Sequence, residues 1–172
     1  MNANACVFLD ETGGHFAMAR YDARSPQGES VHPSKPVNKG KNMTVLGALS
    51  VDGIIASMTV AGSTDAQVFL TYVQTILAPT LHAGQVVCMD NLSSHQVSGV
   101  KEAIESTGAR LESLPPYSPD FSPIEKCWSK FKAILRKKAA RTRDVLDPAI
   151  TEAFAMITPQ DARGWFAHCG CL

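Results

Sequence analysis

Apolar residues fall into two rhythms along this chain. Short runs read as strands, and stretches with apolar positions every three or four residues read as helices. Ala5-Cys6-Val7-Phe8-Leu9, closing on Asp10, predicts a buried strand. Phe16 to Tyr21 could pair with it across a Gly13-Gly14 turn. Residues 24–42 are rich in Ser, Pro, Gly and Lys and read as a long loop. Met43 to Val51 and Ile54 to Val60 flank Asp52-Gly53, a pair that favours a tight type I′ hairpin. The first three strands therefore read as antiparallel.

Helical spacing takes over at Val68, Phe69, Tyr72, Val73 and Ile76, with Thr64 or Asp65 as cap and Pro79 as stop near Leu77. Val86 to Met89 is continuously apolar, as a central strand covered on both faces requires. Val97 to Thr107 predicts a helix ended by Gly108, and Arg110 to Leu114 a short strand. A Pro-rich loop over 115–123 leads into a helix from about Pro123 to Lys138. Asp147-Pro148 reads as a cap followed by proline at the first helical position, with Ile150, Ala153, Phe154 and Ile157 as the apolar stripe. Thr158-Pro159-Gln160-Asp161 repeats the start signal for a last helix through Trp165 and Phe166. Three meandering strands, then helix, strand, helix, strand and a helical end, is the order of the RNase H-like fold. That fold is a mixed five-stranded sheet with helices on both faces, in which the first and fourth strands are neighbours.

The 172 residues suit a single domain spanning 1–172 with a sizeable core. No apolar run reaches the roughly 18 residues of a membrane span, and Met1-Asn2-Ala3-Asn4 lacks the start of a signal peptide. The expectation is a cytoplasmic protein with no membrane partner. An odd count of 5 cysteines (Cys6, Cys88, Cys127, Cys169 and Cys171) argues for free thiols rather than a disulfide framework. His168-Cys169-Gly170-Cys171 invites a zinc reading, but a fourth ligand at finger-like spacing is missing.

Three acids change the picture. Asp10 and Asp90 each close an apolar strand, and Glu125 opens a helix. Converging carboxylates from separate elements suit two Mg²⁺ ions about 4 Å apart, the arrangement used for phosphoryl transfer. Without a cation, two such charges about 4 Å apart repel by about 4 kcal/mol at an effective dielectric near 20. A metal-free site is therefore expected to splay.

Net charge is zero, yet Lys126, Lys130, Lys132, Arg136, Lys137, Lys138, Arg141 and Arg143 follow one another with no acid among them. Beside an acidic metal site this stripe suits a phosphate backbone. In the same helix Ile124, Cys127, Trp128, Phe131, Ile134 and Leu135 form one apolar stripe, with Glu125 on its flank together with Ser129, Lys132 and Arg136. Lys126, Lys130, Lys132, Arg136 and Lys137 are the candidate DNA contacts.

At these residues the sequence resembles transposases of the bacterial insertion-sequence branch of the mariner-like superfamily. The matching pieces are Phe8-Leu9-Asp10-Glu11, Gly47-Ala48-Leu49, and Met89-Asp90-Asn91 with His95. The block from Leu114-Pro115-Pro116-Tyr117-Ser118-Pro119-Asp120 to Pro123-Ile124-Glu125, followed by Trp128 and Lys132, completes the match. The 34 residues between Asp90 and Glu125 are a family spacing. The resemblance implies that Asp10, Asp90 and Glu125 are the catalytic, metal-binding triad for two Mg²⁺ ions, with Mn²⁺ as a substitute. It implies water hydrolysing the phosphodiester at a transposon end, and the freed 3′-OH attacking target DNA at a TA dinucleotide. DNA ends, target DNA and a second copy in the active complex are the implied partners.

The chain departs from the family at Ser122, where Asn is usual; both suit the start of a helix. The first strand begins near residue 5, which leaves no room for the N-terminal helix-turn-helix modules of such transposases. The expectation is a catalytic half, fused to or paired with a separate helix-turn-helix half, that binds DNA weakly and with strong salt dependence when alone. A catalytically silent inhibitor that binds DNA or dimerises with the full protein is the alternative.

Other polar residues carry weaker signals. Glu11 points to the face opposite Asp10 and reads as solvated or loop-facing. Asn91 and His95 either orient the second aspartate, touch DNA or serve local structure. Asp120 suits turn chemistry, Tyr117 packing under its loop, and Trp128 the core. Asp22, Asp52 and Asp65 read as turn or cap residues.

Overall fold

The first strand does not stop at Asp10. In the computed structural model, which describes residues 3–14, 43–90, 99–115, 121–138 and 143–171, β1 runs from Cys6 to Gly14. Gly13 and Gly14 pair with Thr44 and Met43 of β2 (Met43–Ser50), so they extend the strand instead of turning it. The expected Gly13-Gly14 turn is thus overturned. The pairing of Phe16 to Tyr21 and the 24–42 loop lie outside the described residues.

β2 returns through a two-residue turn, Val51-Asp52, into β3 (Gly53–Ala61). Ser50 faces Gly53 across that turn, so the turn sits one residue earlier than the Asp52-Gly53 signal suggests. Gly53 adopts φ 113°, a value that side chains with a Cβ avoid. A register shift beyond Ala48/Leu49 bends the hairpin.

α1 (Ala66–Tyr72) is capped by Asp65, whose Oδ1 accepts from the Val68 N–H at 2.8 Å. It passes into wider and then tighter helical turns over Val73–Leu77 and Ala78–Thr80, so Pro79 sits within the last turn rather than ending the helix before it. β4 (Val86–Met89), α2 (Val100–Glu105), β5 (Arg110–Ser113) and α3 (Pro123–Lys138) follow as the hydrophobic pattern requires. α4 (Arg143–Ala155) starts before Asp147-Pro148, so Pro148 lies inside the helix and not at its first position. The burial of Leu146 alongside Ala149, Ile150 and Ala153 explains the difference: the apolar stripe begins a turn before the proline. α5 (Pro159–His168) opens on a capping box, Thr158 accepting from the Asp161 N–H and Asp161 accepting from the Thr158 N–H.

The sheet order is β3-β2-β1-β4-β5. β1 runs antiparallel to β2 and parallel to β4, and β4 parallel to β5. This is the mixed five-stranded sheet of the RNase H-like fold, with the first and fourth strands adjacent. One face packs on α3, α4 and α5 through Cys6, Phe8, Val45, Val86 and Cys88. The other packs on α1 and α2 through Val7, Leu9, Leu46, Val87 and Met89. The Tyr72 hydroxyl donates to the Ala56 carbonyl at 3.2 Å and ties α1 to β3. All five cysteines are free, and burial pushes the Cys88 and Cys127 thiols up to about 12, which keeps them unreactive. No helix among the described residues is long and apolar enough to cross a membrane.

Candidate active site

Strand alternation decides where the first acid points. Phe8 faces α3 and Leu9 faces α1 and α2, so Asp10 shares the α3 side and Glu11 the other. The β1–β4 register ends at Leu9 opposite Met89. Asp10 is the next residue of β1, and Asp90 the residue that follows the end of β4. Among the described residues β1 continues past this point to Gly14, while β4 ends at Met89. Glu125 lies in the first turn of α3, exposed, with its N–H donating to the Ser122 carbonyl at 3.2 Å.

Electrostatics join the three acids. Asp10 is pushed up to about 7, first by loss of solvation and then by the negative charges of Glu125 and Asp90. The Glu11 N–H and the Trp128 indole N–H oppose this by donating to its carboxylate. The indole contact is direct: Trp128 Nε1 donates to Asp10 Oδ2 at 2.9 Å.

Trp128 reaches Asp10 because of a missing side chain. Gly47 pairs with Asp10 across β1–β2, and a Cβ there would lie 2.6 Å from the far edge of the indole ring. The ring is 2% exposed and packs edge-on to Phe131 and Phe154, with centroids 5.7 and 6.5 Å away. Trp128 is therefore core, as its sequence position suggests, but its polar atom belongs to the acid site. Hydrophobic periodicity carries no signal for that bond. The pairing of Gly47 with Trp128 among the family-like residues was the available hint.

The donor set fits a hard divalent cation: carboxylate oxygens, two half-buried and one exposed, whose mutual repulsion a cation would relieve. No group of three or more His, Cys, Asp or Glu side chains among the described residues is already arranged to hold an ion. The acids interact without being drawn together, so a cation would have to close the site. Nor do His168, Cys169 and Cys171 form such a group among the described residues.

On α3, Lys126 and Lys137 are exposed, and Lys132 and Arg136 are half-buried on the Glu125 flank. Lys130 is engaged elsewhere, with Nζ 2.5 Å from Asp161 Oδ2 in the α5 cap. Glu11 is not solvated: its Oε2 is buried and has no hydrogen-bond partner among the described residues. Asn91, His95, Tyr117 and Asp120 lie outside the described residues.

A sequence model of the DDE superfamily endonucleases matches residues 5–147. A search of curated proteins finds no match. Among solved structures, a pre-cleavage Mos1 transpososome superposes with TM-score 0.82 at 15% identity, over 98% of this chain and 53% of that one. The Mos1 mariner paired end complex with Mn gives 0.80 at 16%, over 97% and 53%. The catalytic domain of Mos1 mariner transposase gives 0.74 at 15%, over 97% and 78%. The chain thus spans about half the length of the transpososome chains it matches, and the likeness is one of fold.

Proposed function

We propose that this chain, which belongs to the DDE superfamily endonucleases, is the catalytic domain of a DNA transposase of the bacterial insertion-sequence, mariner-like kind. Asp10, Asp90 and Glu125 are its metal-binding acids, for two Mg²⁺ ions or Mn²⁺ in their place. The single observation that supports this most is that Asp10 and Asp90 each follow the last paired residues of two neighbouring parallel strands, Leu9 and Met89, and the negative charges of Asp90 and Glu125 both act on Asp10. The charges acting on its carboxylate come from two more acids and not from a base.

Bound divalent cations would supply the positive charge that activates water and stabilises the leaving oxygen. The chain's own residues hold the geometry. β1 and β4 carry the two aspartates just beyond their last paired residues, and α3 carries Glu125 in its first turn. Lys132 and Arg136 lie about two and three turns along the Glu125 flank, where a phosphate backbone crossing Glu125 would meet them. Water hydrolyses the phosphodiester at a transposon end, and the freed 3′-OH then attacks target DNA, which keeps the count of phosphodiester bonds in the joining step. Transposon ends, target DNA, a second copy of the chain and a helix-turn-helix segment that reads the ends are the partners this reading assigns.

The test is nicking and strand transfer on DNA bearing the element's ends, with Mg²⁺, comparing the wild type with Glu125→Gln. Activity lost in the variant is expected. Equal activity in the two proteins would remove Glu125 from the site.

A further inference from the structure

The indole of Trp128 holds Asp10 as a neutral donor, from within the core. We propose that Trp128 is a positioning residue for Asp10, acting through its indole N–H, and that Gly47 is the gap through which the indole reaches the carboxylate. This rests on the three-acid reading above and adds to it what holds the first acid in place.

The bond is short and its donor is immobile. Trp128 Nε1 lies 2.9 Å from Asp10 Oδ2, and the ring is 2% exposed between Phe131 and Phe154. An ionised carboxylate has about four lone-pair positions on two oxygens. The indole takes one of them and the Glu11 N–H contributes a second contact, which, among the described residues, leaves positions on the carboxylate for a cation. Unrestrained, a carboxylate facing two other acids would rotate away from them. An indole N–H opposes that rotation and brings no positive charge, whereas a lysine or arginine in its place would compete with the cation.

The same bond sets a distance between elements. Trp128 follows Glu125 by three residues on α3, so the two share a side of the helix. Anchoring Trp128 to β1 through Asp10 fixes how far Glu125 stands from the first acid. The approach is possible only because residue 47 lacks a Cβ, which would otherwise lie 2.6 Å from the ring. The indole, the glycine and the two acids form one unit built from β1, β2 and α3.

The test measures Mn²⁺ affinity by paramagnetic resonance in the wild type, Asp10→Asn and Trp128→Phe, together with the metal-free melting temperature. Trp128→Phe keeps an aromatic ring and removes the N–H. A dissociation constant weakened by about tenfold, the usual scale for a residue that orients a metal ligand, is expected. A tryptophan with only a packing role would lower the melting temperature and leave Mn²⁺ affinity unchanged, and that result would overturn the proposal while sparing the three acids. Mn²⁺ affinity unaltered by Asp10→Asn would overturn the three-acid reading and this proposal with it.

A second measurement leaves Trp128 in place. In Trp165→Phe, Trp128 is the only tryptophan, and its emission should change saturably as Mg²⁺ is added. The change should be absent when Asp10→Asn is combined with Trp165→Phe. Emission that stays flat while Mg²⁺ binds would overturn the proposal even if Trp128→Phe fails to fold.

Discussion

Lys130 Nζ lies 2.5 Å from Asp161 Oδ2, and this contact ties the middle of α3 to the capping box of α5. The Lys130 ammonium, helped by the Thr158 N–H and hydroxyl, holds the Asp161 carboxyl down at about 2. A lowered carboxyl stabilises the fold above the unfolded value near 4, and that contribution disappears as pH falls from about 4 to 2. The pair is partly exposed, so after screening it is worth about 1 kcal/mol. Denaturant unfolding of the wild type should weaken across that window, and Asp161→Asn should flatten the dependence. A variant curve parallel to the wild type would contradict the assignment.

The same contact separates two roles among the basic residues of α3. Lys132→Gln or Arg136→Gln should each reduce the slope of log affinity against log salt for duplex DNA by about 1. Lys130→Gln should leave that slope unchanged and lower the melting temperature. Fluorescence anisotropy at several salt concentrations reads the slopes; a Lys130→Gln slope that falls with the others would place Lys130 on DNA.

Asp10 titrates in the opposite sense from Asp161. Its carboxyl is raised to about 7, mainly by desolvation, so the metal-free fold gains from its proton below about pH 4 and loses that gain as pH rises through 7. Asn removes the charge and keeps an oxygen for the Trp128 N–H. Metal-free Asp10→Asn should therefore melt several degrees above the wild type at pH 8, a change of about 2–4 kcal/mol, and at nearly the same temperature at about pH 3.5, below the unfolded value. Equal melting temperatures at both pH values would contradict the buried, crowded charge.

A cation should reverse that order. At a hundredfold excess over its dissociation constant, Mg²⁺ or Mn²⁺ should stabilise the wild type by about 2.7 kcal/mol at pH 8. Asp10→Asn should gain far less. Calorimetry with and without metal reads both proteins, and an identical metal response in the two would count against Asp10 as a ligand.

Gly47→Ala tests the packing behind the site. Its Cβ would stand 2.6 Å from the Trp128 ring, and such overpacking costs about 1–3 kcal/mol. Gly164→Ala, in α5 with nothing within 4 Å of the added carbon, is the control and should stabilise by up to about 1 kcal/mol. Thermal melts of the two variants should move in opposite directions.

Much of this fold was legible because burial follows periodicity. The continuous run Val86–Met89 and the stripe from Ile124 to Leu135 became β4 and α3 with little change. The misses came from local signals outweighed by tertiary packing. Gly13-Gly14 looks like a turn in isolation, yet β2 supplies the partners that keep it in a strand. Pro148 looks like a helix start, but the buried Leu146 extends the helix ahead of it. The three acids of the proposed site were picked out by their places at strand ends and a helix start. The Trp128–Asp10 bond was not, because a stripe of apolar positions gives no direction for one polar atom within it. Lys130 read as a phosphate contact since its neighbours along the chain are bases, whereas its partner in space, Asp161, lies 31 residues away.

The central claim is that Asp10, Asp90 and Glu125 together grip divalent metal, and anomalous diffraction from crystals grown with Mn²⁺ tests it most directly. Two peaks about 4 Å apart, bounded by those three carboxylates with Asp10 touching both, are expected. Manganese bound elsewhere, or at one of these acids with the other two turned away, would contradict it.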